Sequence, residues 1–408
     1  MKNSDFNILV FNGGSSSLAY KIFQVKTSKN IKVISYGKAY RVGVRGTAPS
    51  FVECYFNNKL HKEEIHIANH RQAAKFILKY IEGSGIKIDY IGHRFVHGGS
   101  HFKESVFLNK VTLKKLVTCL PLAPIHNPVS LGVIYESRKI FPDLPQYVTF
   151  DSAFHSTIPY YAYTYALPRK IIKKFGFRKY GFHGLSYSYT AGKISKFLKK
   201  DAHKLKIVAC HLGTGGSSVA AIKGGHSVDT SMGYSPLSGL MMSTRCGDID
   251  PILMIYLMNI YGYRPDELMD ILNKKSGLLG ISGFSSDITD IIHKMYKGEG
   301  RKRARLAFNM YIHRLKKYIG SYIAVLGGID ALVFTDDIGV HNWMVRKKVC
   351  EKMKWAGIIM DNRMNRNISG DKVSCINSAH SKVKIVVIPT EEEFIICLEG
   401  IKLLRLEK

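Results

Sequence analysis

The chain has 408 residues, 46% of them hydrophobic, and a formal net charge of +29. That is length and apolar content enough for two cored domains, and no apolar run reaches the roughly 18 residues a membrane-spanning helix needs. Seven cysteines without a Cys-x-x-Cys pair argue against a disulfide scaffold or a zinc site and for a reducing cytoplasm. The N-terminal MKNSDFN lacks the apolar core of a signal peptide and is expected to enter a strand at once. The charge would suit nucleic acid, an anionic membrane or small anionic substrates. Its basic residues are spread widely, with the densest run at Arg301-Lys302-Arg303-Ala304-Arg305, and no nucleic-acid motif accompanies them. The reading is a lysine-rich solvated surface that still steers anions.

In chain order, ILVFNGGSSSLAYKIF (Ile8 to Phe23) reads as a β-hairpin whose Gly-Gly turn exposes backbone N–H groups and hydroxyls. Phe51–Phe56 and Ile65–Ala68 are expected as short strands. Arg71–Glu82 is expected as a helix, from apolar residues at 73, 76, 77, 80 and 81. Tyr90–Val96 is a strand ending in the turn HGGS, and Val148–Phe150 a strand followed by Asp151. IVACHLGTGGSSVAAI (Ile207 to Ile222) then repeats the first hairpin. Ile312, Leu315, Ile319, Tyr322, Ile323 and Leu326 form a helical stripe that Gly327-Gly328 ends. Strands follow at Ala331–Thr335 and Ile385–Ile388, and Thr390 with Glu393 reads as a capping box for a final helix.

Strands alternating with helices argue for an α/β class. Two matching hairpins suggest a duplicated domain gripping one phosphate-bearing ligand from both sides. The expected division is 1–152, with a C-terminal helix at about 383–408 packing back on it, and 153–382.

Polar residues gather just beyond strand ends: Asn12, Arg94, His97, His126, Asp151, His183, His211, Arg245, Asp248 and Glu392. Ligand sites of α/β folds lie at the carboxyl ends of strands. Guanidinium forks match the charge spread over a migrating phosphoryl group, and an acidic residue can hold Mg²⁺. Neither G-x-x-x-x-G-K-[ST] nor G-x-G-x-x-G after a strand occurs, so a P-loop or dinucleotide site is not expected. No H-E-x-x-H or H-x-H-x-D spacing supports a metallohydrolase. Each residue alone has a plainer reading, a hydrogen-bonded core histidine or a salt-bridging arginine. Their clustering points to a phosphotransferase cleft.

The stretches FNGGSSSLAYK, GHRFVHGG, PLAPIHNP, FDSAFHSTIP, YGFHGLSY, HLGTGGSS, SVDTSMGYSPLSGL, STRCGDIDP, SGLLGISG and VIPTEEE occur in one order. On them the chain resembles the acetate kinase family along nearly its whole length. The resemblance implies a duplicated two-domain actin-like ATPase, ribonuclease H-like fold with a central cleft. It also implies a homodimer that needs Mg²⁺ and interconverts acetate and acetyl phosphate, with the second domain carrying the donor site and the dimer contact. Carried over by position, Arg94 and Arg245 would hold the carboxylate and the migrating phosphoryl. His183 would contact that phosphoryl, Asp151 would position the arginines, and Glu392 with Asn12 would bind magnesium. Asn12, Ser15 and Ser17 would contact phosphate from the first hairpin, and His211, Gly213, Thr214 and Gly215 from the second. Val96, Ile125, His126, Phe182 and Pro236 would form the acetate pocket. A narrow pocket at Val96 favours acetate over propionate, though one methylene is worth only about 1–3 kcal/mol.

The departures concentrate where the family binds a nucleoside. A loop like GGIGEN in ATP-using members is here Asp336-Asp337-Ile338-Gly339-Val340-His341. The asparagine of HLGNG is Thr214, the lysine of SSSLKY is Ala19, and a basic residue near the adenine is Thr289. A carboxylate about 5 Å from a phosphate charge costs roughly 3 kcal/mol at an effective dielectric near 20. Both phosphate hairpins remain, so a donor with two phosphates and no nucleoside fits, as in the family's pyrophosphate-linked branch. The expected reaction joins acetyl phosphate and orthophosphate to acetate and pyrophosphate. The alternatives are an ATP-dependent enzyme whose Asp336 and Asp337 turn outward, and a non-catalytic binding protein of the same fold.

Overall fold

The segment FNILVFNG forms strand β1 (Phe6–Gly13), with Ile8, Leu9, Val10 and Phe11 buried in a row. Such a run is what a strand covered on both faces requires. The structure, a computed structural model, describes residues 5–44, 49–57 and 59–406. The first four and last two residues, on which the N-terminal expectation and the end of the 383–408 segment partly fall, lie outside the described residues. The chain divides into two units, one of Met1–Phe154 with Glu391–Lys408, the other of His155–Thr390.

In the first unit β1 pairs antiparallel with β2 (Ser17–Thr27), which continues through β3 (Asn30–Tyr40), β4 (Phe51–Phe56) and β5 (Lys59–Glu64). On its other side β1 runs parallel to β6 (Tyr90–Phe95), and β6 to β8 (Gln146–Phe150). The short β7 (Val106–Phe107) closes the edge. The sheet order is β5-β4-β3-β2-β1-β6-β8-β7. Helices His70–Gly83 and Asn127–Ile140 pack together, and Ile77, Leu78 and Ile81 join Leu9, Phe11 and Ile22 in one core.

In the second unit β9 (Lys206–Leu212) pairs antiparallel with β10 (Ser217–Lys223), and β10 with β11 (His226–Thr230). Parallel to β9 lies β12 (Ala331–Thr335), then β14 (Lys384–Ile388), edged by the antiparallel β13 (Ser374–Cys375). The order is β11-β10-β9-β12-β14-β13. Each sheet thus joins an antiparallel meander, β1 to β5 in the first and β9 to β11 in the second, to a parallel trio that shares the meander's first strand, β1-β6-β8 and β9-β12-β14. The helix Arg301–Leu326 carries its apolar stripe from Ala304 to Leu326 into this core, and Gly327 ends it in the left-handed region at φ 60°.

Three local expectations need correction. Residues 65–68 are not a strand; the edge strand is Lys59–Glu64, whose sequence KLHKEE is nearly all exposed and so carries no apolar alternation. Thr390 does not cap the last helix, which starts at Glu392, and its buried hydroxyl has no partner among the described residues. The chain also returns to the first unit later than residue 383. Strand β14 pairs with β12 in the second sheet, and only the helix Glu392–Leu406 joins β1 and β6.

Candidate active site

Within the first unit, the ends of the three parallel strands deliver Asn12, Arg94 and Asp151. Asp151 is 1% exposed, and its backbone N–H donates to the Phe95 carbonyl at 3.2 Å. The Arg94 guanidinium grips this carboxylate with two parallel hydrogen bonds, Nε to Oδ1 at 2.9 Å and Nη2 to Oδ2 at 2.6 Å. Its Nη1 donates to Asn12 Oδ1 at 2.9 Å and lies 3.6 Å from Glu392 Oε2. Burial pulls Arg94 toward its neutral form, but the carboxylates of Asp151 and Glu392 outweigh it and hold the group above the ordinary arginine range.

The helix Glu392–Leu406 sets the acidic side of this cluster. Tyr147 on β8 donates its hydroxyl to the Ile396 carbonyl at 2.8 Å, and its ring lies where any Cβ on Gly92 or Gly400 would collide. Those two glycines let tyrosine, strand and helix interlock, which presents Glu392 and Glu393 to Asn12. The Asn12 amide nitrogen donates to Glu392 Oε2 at 3.1 Å and Glu393 Oε1 at 2.9 Å. Lys21 balances the run from 3.2 Å to Glu391 and 3.6 Å to Glu393.

As a magnesium position this fits in part. Magnesium takes one or two carboxylates and completes its shell with water and substrate phosphates. Glu392 and Glu393 are such donors, and no group of three or more His, Cys, Asp or Glu residues suited to a metal occurs among the described residues. The Asn12 oxygen, expected on the metal, accepts from Arg94, while its amide nitrogen points at the two carboxylates.

Two expected acetate contacts of this unit differ in burial. Val96 is 5% exposed, whereas Ile125 is 48% exposed. His126 is half-buried and precedes the helix Asn127–Ile140. A residue the sequence reading did not single out, Asn127, holds the HGG turn. It accepts from His97 N at 3.1 Å and donates to the carbonyls of His97 and Cys119. Ser15 at the tip of the first hairpin is exposed, and Ser17 is half-buried.

Within the second unit, the turn Gly181-Phe182-His183-Gly184 leads into the helix Gly184–Leu198, with His183 in the left-handed region at φ 59°. That strained conformation, uncommon without glycine, is held from below. Buried His155 hydrogen-bonds Ser227 Oγ through Nδ1 at 2.7 Å and the Phe182 carbonyl through Nε2 at 2.9 Å. His183 Nδ1 lies 2.8 Å from Ser218 Oγ, which also meets the Tyr187 hydroxyl at 2.5 Å. The rings of His183 and His211 stack with centroids 4.0 Å apart.

The hairpin turn closes through Gly213 N to the Gly216 carbonyl at 3.1 Å, and Thr214 and Gly215 are exposed at its tip. A Cβ on Gly216 would stand 3.2 Å from Arg245 Nη1 and 3.5 Å from His183 Nε2, so both groups face this end of the turn. Among the described residues no carboxylate pairs with Arg245, and burial holds it below the ordinary arginine range. Phe182 is buried and Pro236 half-buried.

The two aspartates after β12 part company. Asp337 is exposed. Asp336, at φ 63°, turns inward: its Oδ2 lies 3.1 Å from His211 Nε2, and a Cβ on Gly213 would collide with it. His211 Nδ1 pairs with Ser186 Oγ at 2.9 Å, so both ring nitrogens meet protein groups. Residues 336–341, expected as a loop, form a short helix that buried Arg346 ties down. Its Nη1 donates to the Gly339 carbonyl at 2.9 Å and the Val340 carbonyl at 2.6 Å, and its Nε to Asn365 Oδ1 at 2.7 Å.

Repeated sheets with charged groups at the carboxyl ends of their parallel strands define an α/β phosphotransferase-type scaffold, duplicated as in the actin-like fold. The profile of the Acetokinase family matches residues 7–398, so the chain belongs to the acetokinase family. It is 44% identical over 404 residues to the acetate kinase of Caldicellulosiruptor bescii, covering 97% of this chain and 99% of that protein. The crystal structure of acetate kinase from Entamoeba histolytica is 46% identical and superposes with a TM-score of 0.88, covering 97% of this chain and 99% of that one. A propionate kinase from Francisella tularensis is 35% identical with a TM-score of 0.86, over 97% and 98% of the two chains.

Proposed function

We propose that this enzyme transfers a phosphoryl group to and from the carboxylate of acetate, and that its phosphate partner is orthophosphate or pyrophosphate rather than a nucleotide. The carrying observation is the Asp336 carboxylate lying against Gly213 inside the second hairpin. It puts negative charge and bulk where small residues would leave room for a nucleoside-linked phosphate, and the cationic groups for a terminal phosphoryl are retained.

In this reading Arg94, aligned by Asp151, holds the acceptor carboxylate. Arg245 and His183 stabilise the charge that spreads over the migrating phosphoryl, and the transfer is direct and in line. Glu392 would hold the magnesium, oriented by Asn12, with Glu393 beside it. When bound, that ion would neutralise part of the phosphate charge. Val96, Ile125, His126, Phe182 and Pro236 are proposed as acetate contacts. Ser15, Ser17, Thr214 and Gly215 are proposed as phosphate contacts.

A second reading, ATP-dependent acetate kinase, has its own support. Asp337 is exposed, and acetate kinases more than 40% identical match over nearly the full length. The readings separate when purified protein receives acetyl phosphate and Mg²⁺ with either orthophosphate or ADP. The expectation is rapid acetyl phosphate consumption with orthophosphate. Consumption with ADP alone would establish the nucleotide reading, and none with either acceptor would leave a binding protein.

The partner we propose is a second copy. The helix Ile252–Asn259 has no buried residue, and Leu253 (51%), Tyr256 (53%), Ile260 (64%) and Tyr261 (69%) expose a continuous apolar stretch of the kind that marks association. Sedimentation at micromolar concentration should show a dimer. All seven cysteines are free, five of them buried, which suits the cytoplasm.

A further inference from the structure

We infer that Asp336 is a displaceable internal anion: its carboxylate occupies the Gly213 end of the second hairpin and must swing aside before a substrate phosphate can reach His211. This rests on reading that hairpin as a phosphate site and deepens it into a rule for affinity.

The geometry leaves His211 no spare ring nitrogen. Nδ1 is 2.9 Å from Ser186 Oγ, and Nε2 is 3.1 Å from Asp336 Oδ2. A phosphate oxygen that takes Nε2 therefore replaces the aspartate. The exchange is also forced by space, because the carboxylate lies so close to the Gly213 backbone that even a methyl group there would collide with it. Two anions cannot share the position. Once displaced to about 5 Å, the carboxylate would still repel a phosphate charge by roughly a hundredfold in affinity at an effective dielectric near 20, an upper bound that solvent screening lowers.

The motion required is small. Arg346 pins the carbonyls of Gly339 and Val340, so the backbone of the segment need not move. The Asp336 side chain is 31% exposed and can rotate into water about χ1. Aspartate, asparagine and glycine tolerate its left-handed φ of 63° better than other residues. The hairpin thus has a cationic end at Gly216, facing Arg245 and His183, and an anionic end at Gly213, facing Asp336. A phosphate ligand settles readily at the first and must compete at the second. The consequence is weakened binding of every phosphate ligand that reaches the Gly213 end, and faster release.

The test is calorimetric titration of inorganic pyrophosphate with Mg²⁺, without any acetyl compound, into the full chain and into Asp336→Asn, Asp336→Gly and Asp337→Asn. Asp336→Asn keeps the shape and removes the charge, and Asp336→Gly keeps the positive φ and removes the side chain. Both should bind about tenfold more tightly or better, while exposed Asp337→Asn should gain less than about threefold. Unchanged or weaker binding in both Asp336 variants would overturn the inference. So would an equal gain in Asp337→Asn, which would reduce the effect to overall charge. Should turnover assays show ADP as the true acceptor, the diphosphate reading falls alone. The same four proteins titrated with ATP would then decide this inference by the same ranking.

Discussion

Two arginines, Arg94 on the parallel strand β6 and Arg245 in the loop that follows β11, live in opposite electrostatic settings. Arg94 is clamped by a buried carboxylate and held above the ordinary arginine range, whereas Arg245 has no carboxylate partner among the described residues and is held below it. The two hairpins differ in the reverse sense. The first has an exposed serine tip, and the second has the Asp336 carboxylate, from the segment after β12, lying against its turn. One unit therefore offers a positioned, charge-balanced grip and the other an uncompensated cation beside an internal anion. An uncompensated guanidinium is the better partner for charge that appears only in a transition state, because no resident carboxylate competes for it.

The contrast can be broken most directly by deletion. Arg245→Ala should lower kcat by roughly 10³–10⁵, as for loss of an arginine finger, with little change in thermal stability because no ion pair is broken. Near-normal turnover would remove Arg245 from the mechanism. Arg94→Ala should lose activity comparably but also lose about 3–5 kcal/mol of stability, since Asp151 would be left buried and unpaired. Equal melting temperatures for the two variants would abolish the distinction.

Acid sharpens it further. His93 on β6 is 1% exposed, bonded to Gln146 Oε1 at 2.9 Å, and burial lowers its pKa to about 4 from 6.5. A depressed histidine contributes stability that is present above pH 6.5 and lost as pH falls toward 4. The loss is up to about 3 kcal/mol. His93→Gln should flatten the denaturant midpoint between pH 6.5 and 4, and an unchanged slope would show the titration lies elsewhere. The smallest effect is expected from Glu393→Gln, which keeps the hydrogen bond to Asn12 and removes one charge. The magnesium concentration for half-maximal rate should rise by about threefold or less. A loss of activity that no magnesium concentration restores would make Glu393 essential instead.

Local patterns carried much of this molecule. The hairpins were legible because Gly-Gly-Ser turns flanked by apolar runs admit few other conformations, and the helix stripe from Ile312 to Leu326 because its spacing matches one buried face. The strand Lys59–Glu64 was not, since an exposed edge strand has no buried face to write an alternation. Thr390 and Glu393 satisfied a capping pattern, yet Glu393 turns to Asn12 and Lys21, far away in sequence. Motif letters marked Arg94, Asp151, His183, Arg245 and Glu392, but not the residues that brace the turns around the site: Asn127 at the HGG turn, His155 and Ser218 at His183, and Arg346 at the 336–341 helix are ordinary polar residues until their burial and partners are seen.

The order of residues by itself determined the family, the duplicated hairpins and the placement of Asn12, Arg94, Asp151 and His211 at the ends of parallel strands, because these follow from short-range spacing and residue type; His126, His183, Arg245 and Asp248, expected there too, sit in loops and helix starts instead. Only the tertiary structure decided that Asp336 turns in while Asp337 is exposed, and that Arg94 is paired with carboxylates while Arg245 is paired with none among the described residues. Those outcomes depend on side-chain direction, burial and partners contributed by distant strands, which neighbouring letters do not encode.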